Sequence, residues 1–148
     1  MLLRDHIPAG ALLPGLTHTT LDDAVAAATR ALATAAAVGD ADGLVRLMLS
    51  QGTGPDTVVG RGVAVPHVRT PQVADLSLAV ASLAEPVAVA GAEAPVDLLF
   101  VIAAPDRDPR LMLRALARLG RLMKSPAFLP GLRRAGTPAA LLAAFPER

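Results

Sequence analysis

The chain has 148 residues, 53% of them apolar and 18% charged, which predicts one folded domain over residues 1–148 and excludes disorder. A formal net charge of +1 gives no long-range field to gather nucleic acid or anionic membrane, so neither is an expected partner. An aromatic share of 2% leaves too few flat side chains for base or sugar stacking, and the absence of cysteine removes disulfides and thiolate chemistry.

The opening MLLRDHIPAGALLPG is interrupted by Asp5 and His6 and lacks the continuous apolar core of a signal peptide. No uncharged apolar run approaches the roughly 20 residues that span a bilayer, so a cytoplasmic protein without direct membrane insertion is expected. Ala11 to Leu16, broken by Pro14-Gly15, predicts an edge strand or extended lead-in. In THTTLDDAVAAATRALATAAAVGD, Thr20 with Asp23 three residues on predicts an N-cap, and Gly39 predicts the exit. Val25, Ala28, Leu32 and Ala36 fall on one face of that helix. A second helix runs through GLVRLMLSQ, capped by Asp40 or Asp42, with Leu44, Leu47 and Met48 inward.

GTGPDT is a loop by composition. Strands are expected over Val63-Ala64-Val65, LSLAVASL (76–83), VAV (87–89) and VDLLFVIAA (96–104). The last is a continuous apolar run of the kind found in a fully covered central strand. Beyond the Pro105–Pro109 segment the period becomes helical: Met112, Leu116, Leu119 and Met123 face inward, while Arg110, Arg114, Arg118 and Arg121 form a solvated stripe. Two short helices follow, AFLPGLRRAG and TPAALLAAF, the second with Thr137 as cap and Pro138 at its first position. Helices before and after a group of strands predict an α/β fold with both sheet faces covered.

The stretch GRGVAVPHVR, residues 60–69, carries the chemistry. Pro66 lacks an N–H, which predicts the end of strand pairing there and displays His67 at a strand end. Gly60 and Gly62 allow close backbone approach to a bound group. Neutral imidazole is a competent nucleophile near pH 7, and phosphoryl transfer needs mainly positioning and neutralisation of the equatorial oxygens. A histidine beside a glycine loop therefore suits a phosphohistidine carrier; a solvated loop histidine is the plain alternative. His6 and His18 lie in polar lead-in segments, and three scattered histidines lack zinc-ligand spacing, so no metal and no cofactor is expected.

TVVGRGVAVPHV resembles the active-site segment of the type-2 EIIA proteins of the bacterial phosphotransferase system, the fructose/mannitol-type carriers and the nitrogen-regulatory EIIA. APVDLLFVIAAP and the order of flanking helices extend the likeness over nearly the whole chain. The resemblance implies a three-layer α/β fold, a mixed β-sheet flanked by helices on both faces. It also implies that His67 accepts a phosphoryl group, with Thr57, Gly60, Arg61, Gly62 and Arg69 as candidate phosphoryl-stabilising residues. Against the family's usual pattern, Val68 stands in place of Gly or Ala, Gln51 in place of an arginine, and Leu111 in place of a second histidine. Arg61 stands in place of Asn or an acid, whereas Thr57 matches.

The partners so implied are an HPr-like phosphocarrier as donor and an EIIB domain or a regulatory protein as recipient. The alternative is an EIIA-like regulatory module that binds a protein target with little or no phosphoryl transfer, a reading favoured by Leu111, Gln51 and Val68.

Overall fold

The computed structural model describes residues 1–148 apart from the side chain of Pro55. In chain order it has strand β1 (Leu12–Leu16), helices α1 (Leu21–Ala35) and α2 (Ala41–Gln51), then strands β2 (Val58–Gly60), β3 (Val63–Ala64) and β4 (His67–Arg69). Strands β5 (Ser77–Val87) and β6 (Val96–Ala104) follow, and helices α3 (Pro109–Met123), α4 (Phe128–Arg134) and α5 (Pro138–Ala143) complete it.

Helix starts follow the capping side chains. Thr20, Asp40, Asp108 and Thr137 accept the backbone N–H groups of Asp23, Gly43, Arg110 and Ala140 at 2.9–3.1 Å, satisfying donors that the helix itself cannot. The Arg110 N–H holds the Asp108 carboxyl below its ordinary range, so this cap is intact at neutral pH and weakens on acidification through the lowered pKa. The expected exit of α1 at Gly39 is displaced. Ala37 takes the left-handed φ of 57°, and the Val38 N–H closes onto the Ala33 carbonyl at 2.8 Å. This is the 6→1 bond of a Schellman ending, which methyl-sized alanine tolerates two residues before the glycine.

The strand order is β1-β5-β6-β3-β2, with β4 also on β6. β1 runs parallel to β5, β3 and β4 parallel to β6, and the β5–β6 and β2–β3 pairs are antiparallel, so the sheet is mixed. Two expectations need correction. The strands expected at 76–83 and 87–89 are one strand, β5. Its register shifts between Ser82 and Val87, so the Ala84-Glu85-Pro86 segment bulges outward without ending the pairing.

Pro66, in turn, interrupts pairing but does not end it. Proline loses its donor and keeps its carbonyl, which accepts the Ile102 N–H at 2.9 Å, and the strand resumes as β4 with His67 opposite Ile102. His67 therefore begins a strand. The short edge strand β2 had no signal of its own beyond two valines.

Alternation along β6 sends Leu98, Phe100, Ile102 and Ala104 into one layer with α3, α4 and α5, and Leu99, Val101 and Ala103 into the other with α1 and α2. The result is a three-layer α/β fold, as expected. Phe100, Phe128 and Phe145 pack together in the first layer, with ring centroids 6.0, 6.5 and 5.1 Å apart.

The β2–β3 turn is held from two sides. Arg133 of α4 forks onto Asp97 at the start of β6 (2.9 and 3.0 Å) and also donates to the Arg61 carbonyl. Gly62 lies beneath that fork with φ of 78°, and a Cβ there would stand 2.8 Å from Asp97 Oδ1 and 2.9 Å from Arg133 Nη2. Gly62→Ala is therefore expected to cost about 1–3 kcal/mol through both backbone strain and displacement of the fork. The urea midpoint measures this; an unchanged midpoint would refute the fork as a packing constraint.

Candidate functional site

β4 places three consecutive side chains by simple alternation. Val68 is buried in the α1–α2 layer, and His67 and Arg69 project to the opposite face, towards α3. The Val68 side chain thus packs on the far side of β4 from the imidazole, although the residue also borders the cleft that His67 lines.

His67 is half-buried and held at both ends. Its N–H donates to the carbonyl of Gly52, the residue that closes α2, at 3.3 Å, and Nδ1 lies 2.8 Å from the Val65 carbonyl oxygen. A carbonyl can only accept, so Nδ1 carries the hydrogen, and in the neutral ring Nε2 holds the lone pair. Gly52 allows the close approach: a Cβ there would sit 2.8 Å from the Met48 carbonyl and 3.2 Å from that of His67. Neither Gly52 nor the Val65 carbonyl was singled out from sequence. The only hint at Gly52 is its place after a helix whose end the pattern locates.

The imidazole stands at the divide between two clefts. One, of about 780 Å³, is lined by Gln51, Arg69, Asp106, Met112, Leu113 and Leu116 as well as His67. The other, of about 460 Å³, runs between the β2–β3 hairpin and α3, with Val59, Arg61, Leu116, Gly120, Met123 and Lys124 along it. Arg69 is exposed and has no carboxylate partner among the described residues, so its guanidinium is available in the same cleft as the ring.

The remaining expected residues are placed as follows. Thr57 is buried, and its hydroxyl donates to the Gly54 carbonyl at 2.7 Å, tightening the loop before β2. Gly60, Arg61 and Gly62 form the β2–β3 turn, each at positive φ, at the end of β3 away from His67. The Gly62 carbonyl accepts the Asp97 and Leu98 N–H groups, and the Arg61 guanidinium donates to the Met123 carbonyl at the end of α3, at 2.6 Å. Of this turn, only the Arg61 side chain reaches a cleft shared with His67.

Gln51, at the end of α2, lines the same cleft as His67 and brings an amide N–H donor. Leu111 does not face it: it lines a separate cavity of about 490 Å³ with His6 and Asp75. The α3 wall of the His67 clefts is built instead from Met112, Leu113, Leu116 and Leu119, none of which donates a hydrogen bond. Among the described residues no group of three or more His, Asp or Glu side chains is placed to hold a metal ion, and no helix is long and apolar enough to cross a membrane.

Residues 12–147 match the family described as phosphoenolpyruvate-dependent sugar phosphotransferase system, EIIA 2. The chain belongs to this type-2 EIIA family. This EIIA chain is 27% identical over 141 residues to the PTS system 2-O-alpha-mannosyl-D-glycerate-specific EIIABC component of Escherichia coli, a match covering 93% of the chain and 21% of that protein. It is 38% identical over 69 residues to a nitrogen regulatory protein of Bradyrhizobium diazoefficiens, covering 46% of the chain and 45% of that protein. The matched region thus spans about a fifth of the first relative's length and under half of the second's. In fold, the EIIA chain is similar to the nitrogen regulatory protein IIA-Ntr of Neisseria meningitidis, with a TM-score of 0.78 at 21% identity over 96% of this chain and 97% of that one.

Proposed function

We propose that this EIIA chain is a histidine phosphocarrier in which Nε2 of His67 accepts a phosphoryl group from the phosphohistidine of an HPr-like protein. The observation that carries this reading is the 2.8 Å contact of Nδ1 with the Val65 carbonyl, which leaves the other ring nitrogen as the nucleophile at a cleft mouth. In the step, the donor's N–P bond breaks as the bond from Nε2 to phosphorus forms. The electron pair returns to the donor imidazole, which leaves as a neutral ring because its other nitrogen carries a hydrogen. The positive charge passes to the His67 ring, which keeps its Nδ1 hydrogen. The group then passes to an EIIB domain, or remains as a regulatory mark. A relative named as an EIIABC component and another named as a nitrogen regulatory protein support these two destinations.

Arg69 is the cation best placed to neutralise the phosphoryl oxygens, because residues two apart on a strand share a face. Gln51 contributes a neutral donor from α2, and Arg61 reaches in from the other side of the ring. Thr57, Gly60 and Gly62 act through the backbone that carries the hairpin. Arg69→Ala is expected to slow phosphoryl transfer about 10- to 100-fold, below the range for a buried pre-organised donor because Arg69 is exposed. Rapid-quench labelling measures this; an unaltered rate would remove Arg69 from the site. The reading as a whole is tested by mixing the chain with phosphoenolpyruvate, Enzyme I and the host's HPr-like protein. An acid-labile phosphoprotein is expected, and absence of label would overturn the reading.

One observation favours the second reading, a regulatory module that binds its target without transfer. The α3 wall beside His67 is apolar and offers a developing phosphoryl group no donor. That reading predicts a protein target bound equally by the native chain and by His67→Ala. Binding that requires His67 would exclude it.

A further inference from the structure

We propose that Arg133, held by Asp97, is a positioning residue for phosphoryl transfer: it fixes the backbone of Arg61 and so keeps the Arg61 guanidinium in a cleft that His67 lines. The role in the reaction rests on the phosphocarrier reading above; the hold on Arg61 does not.

The turn that carries Arg61 is strained. Among the described residues only Ala37 and Arg61 are non-glycines at positive φ, and Ala37 is accounted for by the helix ending that it makes. Arg61 and Gly62 join β2 to β3 with φ of 57° and 78°, the two positive values of a type I′ hairpin turn. Asn, Asp or Gly takes the first of these positions at little cost, whereas in other residues the Cβ crowds the carbonyl that follows. Stability alone favours one of those smaller residues at position 61. Strain of this kind persists only where the surroundings over-determine it.

The surroundings do so at both ends of Arg61. Its Nη1 donates at 2.6 Å to the carbonyl of Met123, which closes α3 and has no partner within the helix. Its own carbonyl accepts an N–H from Nη2 of Arg133. Arg133 is aimed by Asp97: Nε and Nη2 fork onto the two carboxylate oxygens at 2.9 and 3.0 Å, which fixes the guanidinium plane. Asp97 is tied to the same turn, because its N–H and that of Leu98 donate to the Gly62 carbonyl at 2.9 and 3.1 Å. Phe128, Leu129 and Leu132 of α4 are buried, so the helix that carries Arg133 is anchored in the core.

This hold delivers a cation with donors to spare. Among the described residues Arg61 has no carboxylate partner, and its Nε and Nη2 make no hydrogen bond. Arg61 shares the cleft of about 460 Å³ with His67, Asp56 and Lys124. A phosphoryl group on Nε2 of His67 brings anionic oxygens to this cleft, and charge-assisted bonds from a guanidinium are the strong ones. Without the Arg133 bond the turn is free to relax, and the Asp56 carboxylate competes for the guanidinium.

The test is a double-mutant cycle on the rate of transfer from the host's HPr-like protein, using Arg133→Met, Arg61→Asn and the two together. Asparagine suits the left-handed turn and lacks the guanidinium, so Arg61→Asn keeps the hairpin and removes the cation. Arg133→Met is expected to lower the rate at saturating donor about 10-fold and to leave the KM for the donor within about twofold. Added to Arg61→Asn, it should change the rate by less than about twofold, because the group it positions is already gone. Asp97→Asn keeps the size of that side chain and breaks one arm of the fork, and it takes the place of Arg133→Met if that chain fails to fold. Nitrogen-15 spectra of the Arg61 guanidinium report the hold without any phosphoryl group. Hindered rotation is expected in the native chain and free rotation in Arg133→Met.

A native rate in Arg133→Met, an effect confined to KM, or equal slowing with and without Arg61 would overturn the proposal. So would Arg61 spectra that Arg133→Met leaves unchanged. Should the native chain take no label while Arg133→Met still frees Arg61, the hold stands and the phosphocarrier reading alone falls.

Discussion

Replacement of His67 by glutamine is expected to abolish phosphorylation of the chain while leaving its fold intact. Glutamine approximates the reach of the ring to Nε2 and leaves the backbone pairing of β4 with β6 in place, but an amide has no nucleophilic lone pair to replace Nε2. The loss should therefore be a loss of chemistry and not of binding. Label transferred from phosphoenolpyruvate through Enzyme I and the HPr-like donor should fall to background, with circular dichroism and melting temperature near native. His6 and His18 serve as internal controls, since neither lines the clefts around His67. Label retained in His67→Gln would assign the acceptor to another residue.

The second large effect lies in the core. Phe100→Ala is expected to destabilise the protein by about 3–5 kcal/mol, the range for deleting a buried phenylalanine. Phe100 is fully buried, stacks with Phe128 of α4 and meets the edge of Phe145 after α5. Those two rings also meet each other, so removing Phe100 opens a cavity between β6 and both C-terminal helices and leaves the other pair without a floor. For a chain of this length the loss corresponds to a fall of about 10 °C or more in melting temperature. Val59→Ala, at an exposed position, should change stability by no more than about 0.5 kcal/mol. A Phe100→Ala cost as small as that of Val59→Ala would contradict the packing described.

Local chemistry made most of the fold legible in the sequence. VDLLFVIAA is the covered central strand at its expected bounds, because only a strand with both faces packed can be apolar at every position. Thr20, Asp40 and Thr137-Pro138 mark helix starts through hydrogen bonds that lie within three residues. The misplaced details depend on partners distant in the chain. β5 continues through Pro86 because Val96 waits opposite Val87, and β4 continues beyond Pro66 because Ile102 donates to its carbonyl.

The candidate site divides in the same way. His67 stands out by its local context, and its alternation with Val68 could have been read from the strand period: a residue between two outward neighbours points inward. What stayed hidden is the role of backbone groups, the carbonyls of Val65 and Gly52, which carry no side-chain signature. Hidden too was the facing of α3. Assigning Leu111 to the site needed the rotation of that helix about its axis, and the helix turns Leu113 and Leu116 to the clefts instead.

In the proposed phosphocarrier the Val65 carbonyl fixes the ring and so selects Nε2 as the phosphoryl acceptor. Long-range proton–nitrogen correlation of nitrogen-15-labelled protein, recorded before and after phosphorylation by the HPr-like donor, tests it directly. The expected result is a single phosphohistidine at position 67 in which Nε2 bears phosphorus and Nδ1 keeps its hydrogen. Phosphorus on Nδ1, on another residue, or on none would contradict it.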